Sequence, residues 1–393
     1  MTNTLQSWGR YPCVPQTGHS CYWRADVPKE IVALGPSGTL PFGNGRSYGD
    51  SCLAASGHVL HLRPLNRFLA ADWKTGVVVA EAGVTLGELA ALALPHGWFP
   101  PVTPGTQFAT LGGAIANDVH GKNHHRRGSF GRHVRRFGLT RSTGGLRECS
   151  AIENADLFAA TIGGLGLTGV IEWVELALMP VRSARIDSLA VRFDTLGEFF
   201  TLSNELDPAH EYSVAWVDCL AAGAKLGRGF FQAGTHADDG DLLAKPRANV
   251  PMPFTPRFSL VNKLTLRGFN EAYWRLAPKV RKAARVDAGT FLYPLDRIHD
   301  WNRLYGTKGF QQYQCVVPSA VAEAAIAELL RVIAKTGEGS FLAVLKRCGD
   351  LASPGLLSFP MPGTSLALDF PQNARLESVL FPRLDATVRE AGG

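Results

Sequence analysis

The sequence reads Pro41-Phe42-Gly43-Asn44-Gly45-Arg46-Ser47-Tyr48-Gly49-Asp50 in a segment that places three glycines within seven residues. Closely spaced glycines let consecutive backbone N–H groups turn toward one point and form a nest for an anion such as pyrophosphate. A P-loop is excluded because no Gly-Lys-Ser/Thr follows, and a Rossmann fingerprint is excluded because Tyr48 stands where its third glycine is required. The segment predicts a pyrophosphate-binding loop, with an ordinary glycine-rich surface turn as the alternative.

A second glycine-rich segment begins with Pro104-Gly105-Thr106 and continues as Thr110-Leu111-Gly112-Gly113-Ala114-Ile115-Ala116-Asn117-Asp118-Val119-His120-Gly121-Lys122. The Gly112-Gly113 pair predicts the start of a helix whose first turn offers free N–H groups to a phosphate. Small side chains would also let a flat ring approach the backbone. A tightly packed core helix is the alternative, but it leaves the polar run from Asn117 to His120 unexplained.

Two further features belong to the same half of the chain. A basic cluster contains His120, Lys122, His124, His125, Arg126 and Arg127. Its cations disfavour a divalent metal, and no acidic or cysteine ligand follows nearby, so phosphate binding or a solvated basic loop fits better. Four glycines between 163 and 169 then lead into a predicted strand at Val170 and Ile171, which suits close approach of a ligand to the main chain.

Length and patterning indicate two domains in a layered structure. The 393 residues exceed one typical core, and short strands alternate with short helices, as in α+β or α/β proteins. We predict a strand at 77–81, a helix at 85–94 capped by Thr85, and a helix at 271–284. After residue 183 glycine thins and aromatics rise, and the proline-rich stretch 234–258 suggests a lid-like loop.

Composition limits the location and the partners. The net charge of +6 favours anionic partners weakly, and the basic residues lack the interleaved aromatics of a nucleic-acid binder. Seven scattered cysteines without a C-x-x-C pair indicate a reducing compartment. The sequence contains no signal-peptide pattern and no apolar run near the roughly 20 residues that span a bilayer, so we expect a cytoplasmic protein that contacts a membrane only from outside.

The motifs together resemble the decaprenylphosphoryl-β-D-ribose 2′-oxidases, which are FAD-binding oxidases of the vanillyl-alcohol oxidase and p-cresol methylhydroxylase type. The resemblance is dense at G-R-S-Y-G-D (45–50), V-x-P-G-T (102–106) and H-G-K-N-H-H-x-x-G-S-F-G-x-H-V (120–134), and it recurs at F-L-Y-P-L-D (291–296) and D-F-P (369–371). It implies an α+β fold: a two-subdomain FAD-binding domain at 1–183, and a separate α+β substrate domain built on an antiparallel sheet at 184–393.

The resemblance also implies the site residues. The FAD-binding set is Gly43, Asn44, Gly45, Arg46, Ser47, Tyr48, Gly49, Asp50, Gly105, Thr106, Thr110, Gly112, Gly113, Asn117, His120, Gly121, Val170 and Ile171. The implied substrate-binding set is Tyr293, Gln312, Gln314, Lys346 and Ser365, and the implied catalytic residues are Lys346, His120 and Tyr48. Relatives with covalent flavin carry a histidine where this chain has Arg46, so we expect non-covalent FAD. The basic cluster described above leads us to expect no metal.

The implied reaction is oxidation of a secondary alcohol at C2′ of a polyprenylphosphoryl-β-D-ribose, by hydride transfer to flavin N5. It would be the first half of a 2′-epimerisation to arabinose for cell-wall synthesis, completed by a separate NAD(P)H-dependent reductase that acts on the keto product. The lipid-linked substrate would bring this cytoplasmic protein to the inner face of the membrane. Oxidation of soluble sugars or alditols is one alternative. A flavin-binding protein without turnover is another, if the natural chain ends at residue 393.

Two departures from the family pattern accompany the resemblance. Ala367 occupies a position where mycobacterial members carry cysteine. Family members also continue with a Leu-Tyr-x-Ala-Lys-Asp segment that returns to the flavin domain with a tyrosine and a lysine. That segment is absent from the sequence, which ends at Gly392-Gly393.

Overall fold

The computed structural model describes residues 3–35, 39–244 and 249–393. The strands are β1 (Asn3–Leu5), β2 (Gln16–Ser20), β3 (Leu40–Phe42), β4 (His58–His61), β5 (Phe68–Asp72), β6 (Val77–Glu81), β7 (Trp98–Phe99), β8 (Val134–Arg141), β9 (Gly145–Ser150), β10 (Val170–Ala177), β11 (Met179–Pro180), β12 (Arg185–Phe193), β13 (Tyr212–Val217), β14 (Gly229–His236), β15 (Val250–Pro251), β16 (Lys282–Asp287), β17 (Ile298–His299), β18 (Phe310–Pro318), β19 (Ala343–Cys348) and β20 (Gly363–Pro371). The helices are α1 (Val27–Leu34), α2 (Leu86–Ala93), α3 (Leu111–Ala116), α4 (His124–Arg127), α5 (Ala155–Thr161), α6 (Leu196–Leu206), α7 (Lys263–Leu276), α8 (Ala288–Leu292), α9 (Ala322–Thr336) and α10 (Phe381–Glu390), with a π-helical turn at Leu376–Leu380 before α10.

The first half of the chain forms two sheets. Strands β1-β2-β4-β3 make a mixed sheet in which β4 runs parallel to β2 and β3, and strands β5-β6-β10-β8-β9 make an antiparallel sheet. Helix α2 follows the predicted strand β6 and begins at a capping box, because Thr85 accepts from the Glu88 N–H and Glu88 accepts from the Thr85 N–H. The short helix α3 packs beside β10 in the apolar core of the second sheet.

The second half is built on one antiparallel sheet in the order β16-β12-β14-β13-β19-β20-β18. Helices α6, α9 and α10 cover one face of this sheet, and their apolar side chains form the largest core with every second residue of the strands. Leu345, Leu366 and Phe370 are fully or almost fully buried there. The architecture is therefore α+β, with helices on one face of an antiparallel sheet.

The opposite face of this sheet carries polar residues on three neighbouring strands. Strand register sets Lys346 opposite Ser365, Gln314 opposite Ala367, and Gln312 opposite Asp369. These six residues, Gln312, Gln314, Lys346, Ser365, Ala367 and Asp369, are referred to below as the polar floor.

The predicted helix at 271–284 is wrong in its second part. Helix α7 ends at Leu276, Pro278 follows, and residues 282–287 form strand β16 against β12. Proline cannot continue a helix, and the residues beyond it gain hydrogen bonds from an existing sheet edge instead. In the stretch 234–258, β14 extends to His236 and β15 occupies Val250–Pro251, while 245–248 lie outside the described residues.

Among the helices of the described ranges, none has the length and apolar character that crossing a bilayer requires.

Candidate functional site

A cleft of about 760 Å³ separates the glycine-rich loops of the first half from the polar floor. Its size is that of a pocket for a cofactor or another small molecule. Gly105, Thr106 and Asn117 line it from one side, and Gln314 and Lys346 line it from the other. The two halves of the chain therefore enclose one site.

The loop from Gly43 to Gly49 forms one wall of this cleft. Gly45 and Gly49 have φ values of 60° and 62°, which glycine adopts without strain. Within the described residues, the N–H groups from Asn44 to Gly49 donate to no backbone carbonyl. They are thus available to an anion, as the nest interpretation expects.

Arg46 carries a positive charge on the same wall. Its guanidinium carbon lies 4.1 Å from the ring centroid of Trp8 and 4.8 Å from that of Phe108. Burial lowers the pKa of Arg46, and Asp296 opposes that effect. Because two aromatic rings hold the side chain, its position is fixed before any ligand arrives.

The N–H groups at the start of α3 are not free, which corrects the prediction from Gly112-Gly113. The Leu111 N–H donates to Val84 O at 2.8 Å, the Gly112 N–H donates to Ala82 O at 2.9 Å, and the Gly113 N–H donates to Thr110 Oγ1 at 3.1 Å. A Cβ atom at Gly112 would lie 3.0 Å from the Ala82 Cβ atom. The glycines therefore let α3 pack closely on the sheet, while both also line the cleft.

Gly105 is open toward the cleft rather than packed against protein. An added Cβ atom would meet no protein atom within 4 Å, and the backbone has no positive φ that demands glycine. The neighbouring loop is fixed, because the Gln107 N–H donates to Asp296 Oδ2 at 2.8 Å. Space at a rigid position without a side chain is what close approach of a flat cofactor requires.

We expect Gly105→Val to weaken FAD retention by about 5- to 150-fold, because an added side chain in a filled site costs roughly 1–3 kcal/mol. Absorbance of the flavin that remains after gel filtration measures this. Gly268→Val in α7 is the matched control, since Gly268 also has open space around it but does not line the cleft. Equal flavin retention by the two variants would contradict this role of Gly105.

His120 and Lys346 meet across the cleft. The Lys346 ammonium contacts His120 Nδ1, and the Gln314 amide nitrogen lies 3.1 Å from His120 Nε2 and 3.3 Å from Ser365 Oγ. Burial, and after it the charge of Lys346, lowers the pKa of His120 well below its usual range. Burial also lowers the pKa of Lys346 to about 8. The imidazole is therefore neutral beside a lysine that titrates near neutrality.

The protonation state of Lys346 sets the tautomer of His120. A neutral imidazole accepts at one nitrogen and donates from the other. When Lys346 is charged, it donates to Nδ1 and the proton of His120 lies on Nε2, so the Gln314 amide must turn its oxygen toward Nε2 to accept that proton. When Lys346 is neutral, it can accept from Nδ1–H, and Nε2 then accepts from the Gln314 amide. The protonation state of Lys346 thus decides whether His120 Nε2 donates to the Gln314 amide or accepts from it.

Asp369 and Lys122 bring two more titrating groups to the cleft. Asp369 Oδ1 accepts from Gln312 Nε2 at 2.8 Å, and burial raises the pKa of Asp369 to about 7. Lys122 Nζ donates to Leu292 O at 2.7 Å, and burial lowers the pKa of Lys122 to about 8. Together with Lys346, the cleft therefore holds three groups whose pKa values lie near neutral pH.

The remaining cations of the basic cluster turn away from the cleft. Arg127 pairs with Glu211 at 2.7 Å, and Arg126 donates to Pro208 O at 2.7 Å. His124 Nδ1 accepts from the Gly349 N–H at 3.1 Å. Only His120 and Lys122 of the cluster line the cleft, so four of the six predicted phosphate-binding cations lie elsewhere.

A segment of the second half, residues 349–361, crosses to the first half beside this site; we refer to it as the strap. Buried Asp118 accepts from Ser353 Oγ at 2.6 Å, Ser358 Oγ at 2.5 Å and the Gly131 N–H at 2.7 Å. Phe359 then stacks on His120 with ring centroids 5.9 Å apart. The strap thus closes one end of the cleft over His120.

Most of the site residues predicted from the sequence line the cleft. The exceptions are Asp50, Val170, Tyr293 and Ser365. Ser365 still contacts Gln314, Asp50 is exposed, and Val170 and Tyr293 are buried in apolar clusters. The roles assigned to all of these residues stay predictions.

Sequence reasoning missed Asp369, Asp296, Trp8, Trp216 and Phe359, which also line the cleft. The alternation along β20 would have pointed to Asp369, because Ser365, Ala367 and Asp369 share one face while Leu366 and Leu368 are buried on the other. No local signal identifies Trp8 or Phe359. Among the described residues, no three His, Cys, Asp or Glu side chains are grouped to hold a metal ion.

The chain is similar in sequence to known oxidoreductases. A family profile described as an FAD binding domain matches residues 38–150. The chain is 36% identical over 411 aligned positions to decaprenylphosphoryl-beta-D-ribose oxidase of Mycolicibacterium smegmatis, covering 100% of this chain and 87% of that protein. It is 36% identical over 328 positions to an uncharacterised protein of Streptomyces coelicolor, covering 79% and 87% of the two chains. L-gulonolactone oxidase of Mus musculus is 29% identical over 180 positions, covering 45% and 40%.

Proposed function

The chain belongs to the decaprenylphosphoryl-β-D-ribose oxidase family of FAD-dependent oxidoreductases, and on that premise we propose that it oxidises C2′ of a polyprenylphosphoryl-β-D-ribose. The observation that carries this proposal is the contact that His120, beside the glycine-rich loops, makes across the cleft with Lys346 and Gln314 of the polar floor. A polar floor that faces glycine-rich loops suits a sugar held against a flat cofactor.

The loop 43–49 and Gly105 would hold FAD, with free N–H groups for its diphosphate and an open surface for its ring. Bound FAD supplies the hydride acceptor for oxidation of the alcohol carbon. Tyr48 lies at the same wall, where its ring packs on Phe310 with centroids 5.2 Å apart. We propose that its phenol borders the reacting carbon and that Arg46, in place of a histidine, leaves the cofactor non-covalent.

Gln312, Gln314 and Ser365 would orient the sugar hydroxyls, because they present amide and hydroxyl groups on one face of the floor. Lys346 places a positive charge at the closed end of the cleft and so favours the negative charge that the cofactor gains on reduction. His120 holds the Lys346 ammonium in place through Nδ1.

The substrate hydroxyl must also lose a proton. Because Lys346 is proposed to act as the ammonium, the cleft groups that can take this proton near neutral pH are the Asp369 carboxylate, with a pKa of about 7, and the amine of Lys122, with a pKa of about 8. Tyr293 is proposed as a further substrate-side residue that supports the cleft wall from behind. It is adjacent to Pro294, which does line the cleft.

The wider proposal follows from the reaction. Residues 1–183 would be the two-subdomain FAD-binding domain, and residues 184–393 the substrate domain. The keto product would pass to a separate NAD(P)H-dependent reductase, completing a 2′-epimerisation to arabinose. A lipid-linked substrate would bring the protein to a membrane surface.

The test is reduction of the bound flavin by candidate substrates without oxygen. We expect acid precipitation to release flavin into the supernatant, and polyprenylphosphoryl-β-D-ribose to bleach the flavin absorbance while alditols and free sugars do not. Bleaching by soluble sugars alone would establish the alternative oxidase. Bound flavin that no sugar bleaches would establish a flavin-binding protein without turnover.

A further inference from the structure

A ladder of aromatic rings leads from the cleft to the protein surface. Trp216 and Phe230 lie on the cleft wall with ring centroids 6.0 Å apart, and Tyr273 of α7 meets them at 5.0 and 5.1 Å. Phe269 stacks on Tyr273 at 5.2 Å, and Phe341 meets Phe269 at 4.7 Å. Tyr273 is 39% exposed and Phe269 is 40% exposed, although both belong to an aromatic cluster. The ladder is thus continuous from the site to the solvent.

The outer face of α7 continues this apolar path. Leu264 and Leu276 are 81% and 84% exposed, and Ala272 lies between them at helical spacing. Lys263 and Arg267 place positive charge beside that face, whereas Arg275 is paired with Glu271 at 2.6 Å. An exposed apolar stripe beside cations is typical of a helix that contacts lipid with an anionic head group.

Polar contacts and a buried leucine anchor α7 in addition to its aromatic residues. Asn270 Nδ2 donates to Asp218 Oδ1 at 2.7 Å, Glu271 pairs with Arg228 at 2.6 Å, and Leu266 is buried. The exposed area of Phe269 and Tyr273 therefore contributes little to holding the helix, and exposed apolar area of this kind is typical of a ligand-binding surface.

We propose that the aromatic ladder Trp216–Phe230–Tyr273–Phe269 binds the isoprenoid tail of the substrate and guides it from the cleft to the outer face of α7. This inference rests on the proposed function, and it adds the subsite that distinguishes a lipid-linked sugar from a soluble one. Isoprene units are flat, apolar and branched, so successive units can lie along successive aromatic rings. The sugar and phosphate would remain at the polar floor.

The test compares a long-chain polyprenylphosphoryl-β-D-ribose with its ethylphosphoryl analogue, which has the same head group and no isoprenoid. We expect Tyr273→Ala and Phe269→Ala each to raise KM for the long-chain substrate by about tenfold, since each truncation removes apolar contact area. The maximal rate of flavin reduction and the KM for the ethyl analogue should change less than about twofold. Tyr22→Ala is the matched control, because Tyr22 is an exposed aromatic residue outside the cleft.

A binding measurement without turnover supports the same test. Farnesyl phosphate should compete with the long-chain substrate and quench tryptophan fluorescence, more weakly so in the Tyr273→Ala variant, whereas inorganic phosphate should do neither. The ladder proposal is overturned if the variants alter both substrates equally, or if the wild-type KM is the same for both. If neither substrate bleaches the wild-type flavin, the proposed function fails and the ladder proposal falls with it.

Discussion

Replacing Lys346 with methionine is expected to slow substrate-driven flavin reduction by about a hundred- to thousandfold, the usual cost of removing one group that stabilises developing negative charge. Lys346 is buried beside His120, and methionine keeps the length and apolar bulk of its chain. Stopped-flow absorbance of the flavin measures the rate, and the flavin content of the purified variant should equal that of the wild type. An unchanged rate would remove Lys346 from the proposed machinery.

Folding should not suffer from this substitution, which separates a chemical role from a structural one. Burial lowers the pKa of Lys346 from 10.5 to about 8, so the folded state binds fewer protons than the unfolded state between those values. Stability from this group therefore rises with pH across that window, and at neutral pH the buried charge is a cost. Lys346→Met removes that cost, and we expect a Tm equal to or above that of the wild type.

The pH profile gives a second measure of the same charge. If the ammonium is the active form, the wild-type rate falls as pH rises through about 8, the pKa of Lys346. Lys346→Arg keeps its charge and should lose that limb, though its forked geometry lowers the rate. Lys122 titrates in the same range, so Lys122→Met is the control and should keep the limb. A limb that disappears in Lys122→Met instead would assign it to the other lysine.

Replacing Asp118 with alanine is expected to destabilise the protein by about 3 kcal/mol, since three donors to a buried carboxylate lose their acceptor. The donors are the Ser353 and Ser358 hydroxyls and the Gly131 N–H. The strap should detach, uncover His120 and become sensitive to protease between 349 and 361. Urea unfolding and limited proteolysis measure the two effects.

Asp118→Asn is the conservative control. Asp118 has a φ of 39°, which aspartate and asparagine tolerate better than other side chains. The amide keeps an acceptor for the Gly131 N–H and can donate to the serine hydroxyls, so we expect less than half of the loss. Ser353→Ala and Ser358→Ala should each cost about 1 kcal/mol. An Asp118→Ala variant with wild-type stability and protease resistance would show that the strap is held by other contacts.

Elements that depend on neighbours in sequence were predictable, and those that depend on distant partners were not. The capping box of α2 joins Thr85 to Glu88, and strand β6 has the predicted bounds. The Gly112 N–H, expected to be free, donates to Ala82 O in the segment that follows β6, whereas the Gly113 N–H donates to the local helix cap Thr110 Oγ1. A contact with the segment after β6 therefore consumed a donor that looked free in the linear pattern.

The candidate site shows the same division. The family motifs placed Lys346, Gln312 and Gln314 on the substrate side, and the structure brings all three to the cleft. The sequence pattern predicts that Arg127 is available to a phosphate, but Arg127 pairs with Glu211, which lies 84 residues away along the chain. Phe359 reaches His120 because the strap returns to the first half, where it contacts Asp118. Each omission is a contact that chain topology creates and local composition does not encode.

Helices α6, α9 and α10 cover one face of the seven-stranded sheet, so each strand residue points either to the core or to the cleft side, but not to both. Along β18, β19 and β20, alternate residues pack under the helices, and the residues between them face the cleft side of the sheet. Exchanges such as that at Ala367 can therefore accumulate on the cleft side without repacking the interior. Such a sheet can therefore change its substrate specificity through single substitutions on the cleft side. A one-residue insertion in β20 before Ser365 would instead turn Ser365, which lies opposite Lys346, toward the core, and it would disrupt the packing of the core as well as the polar surface of the cleft.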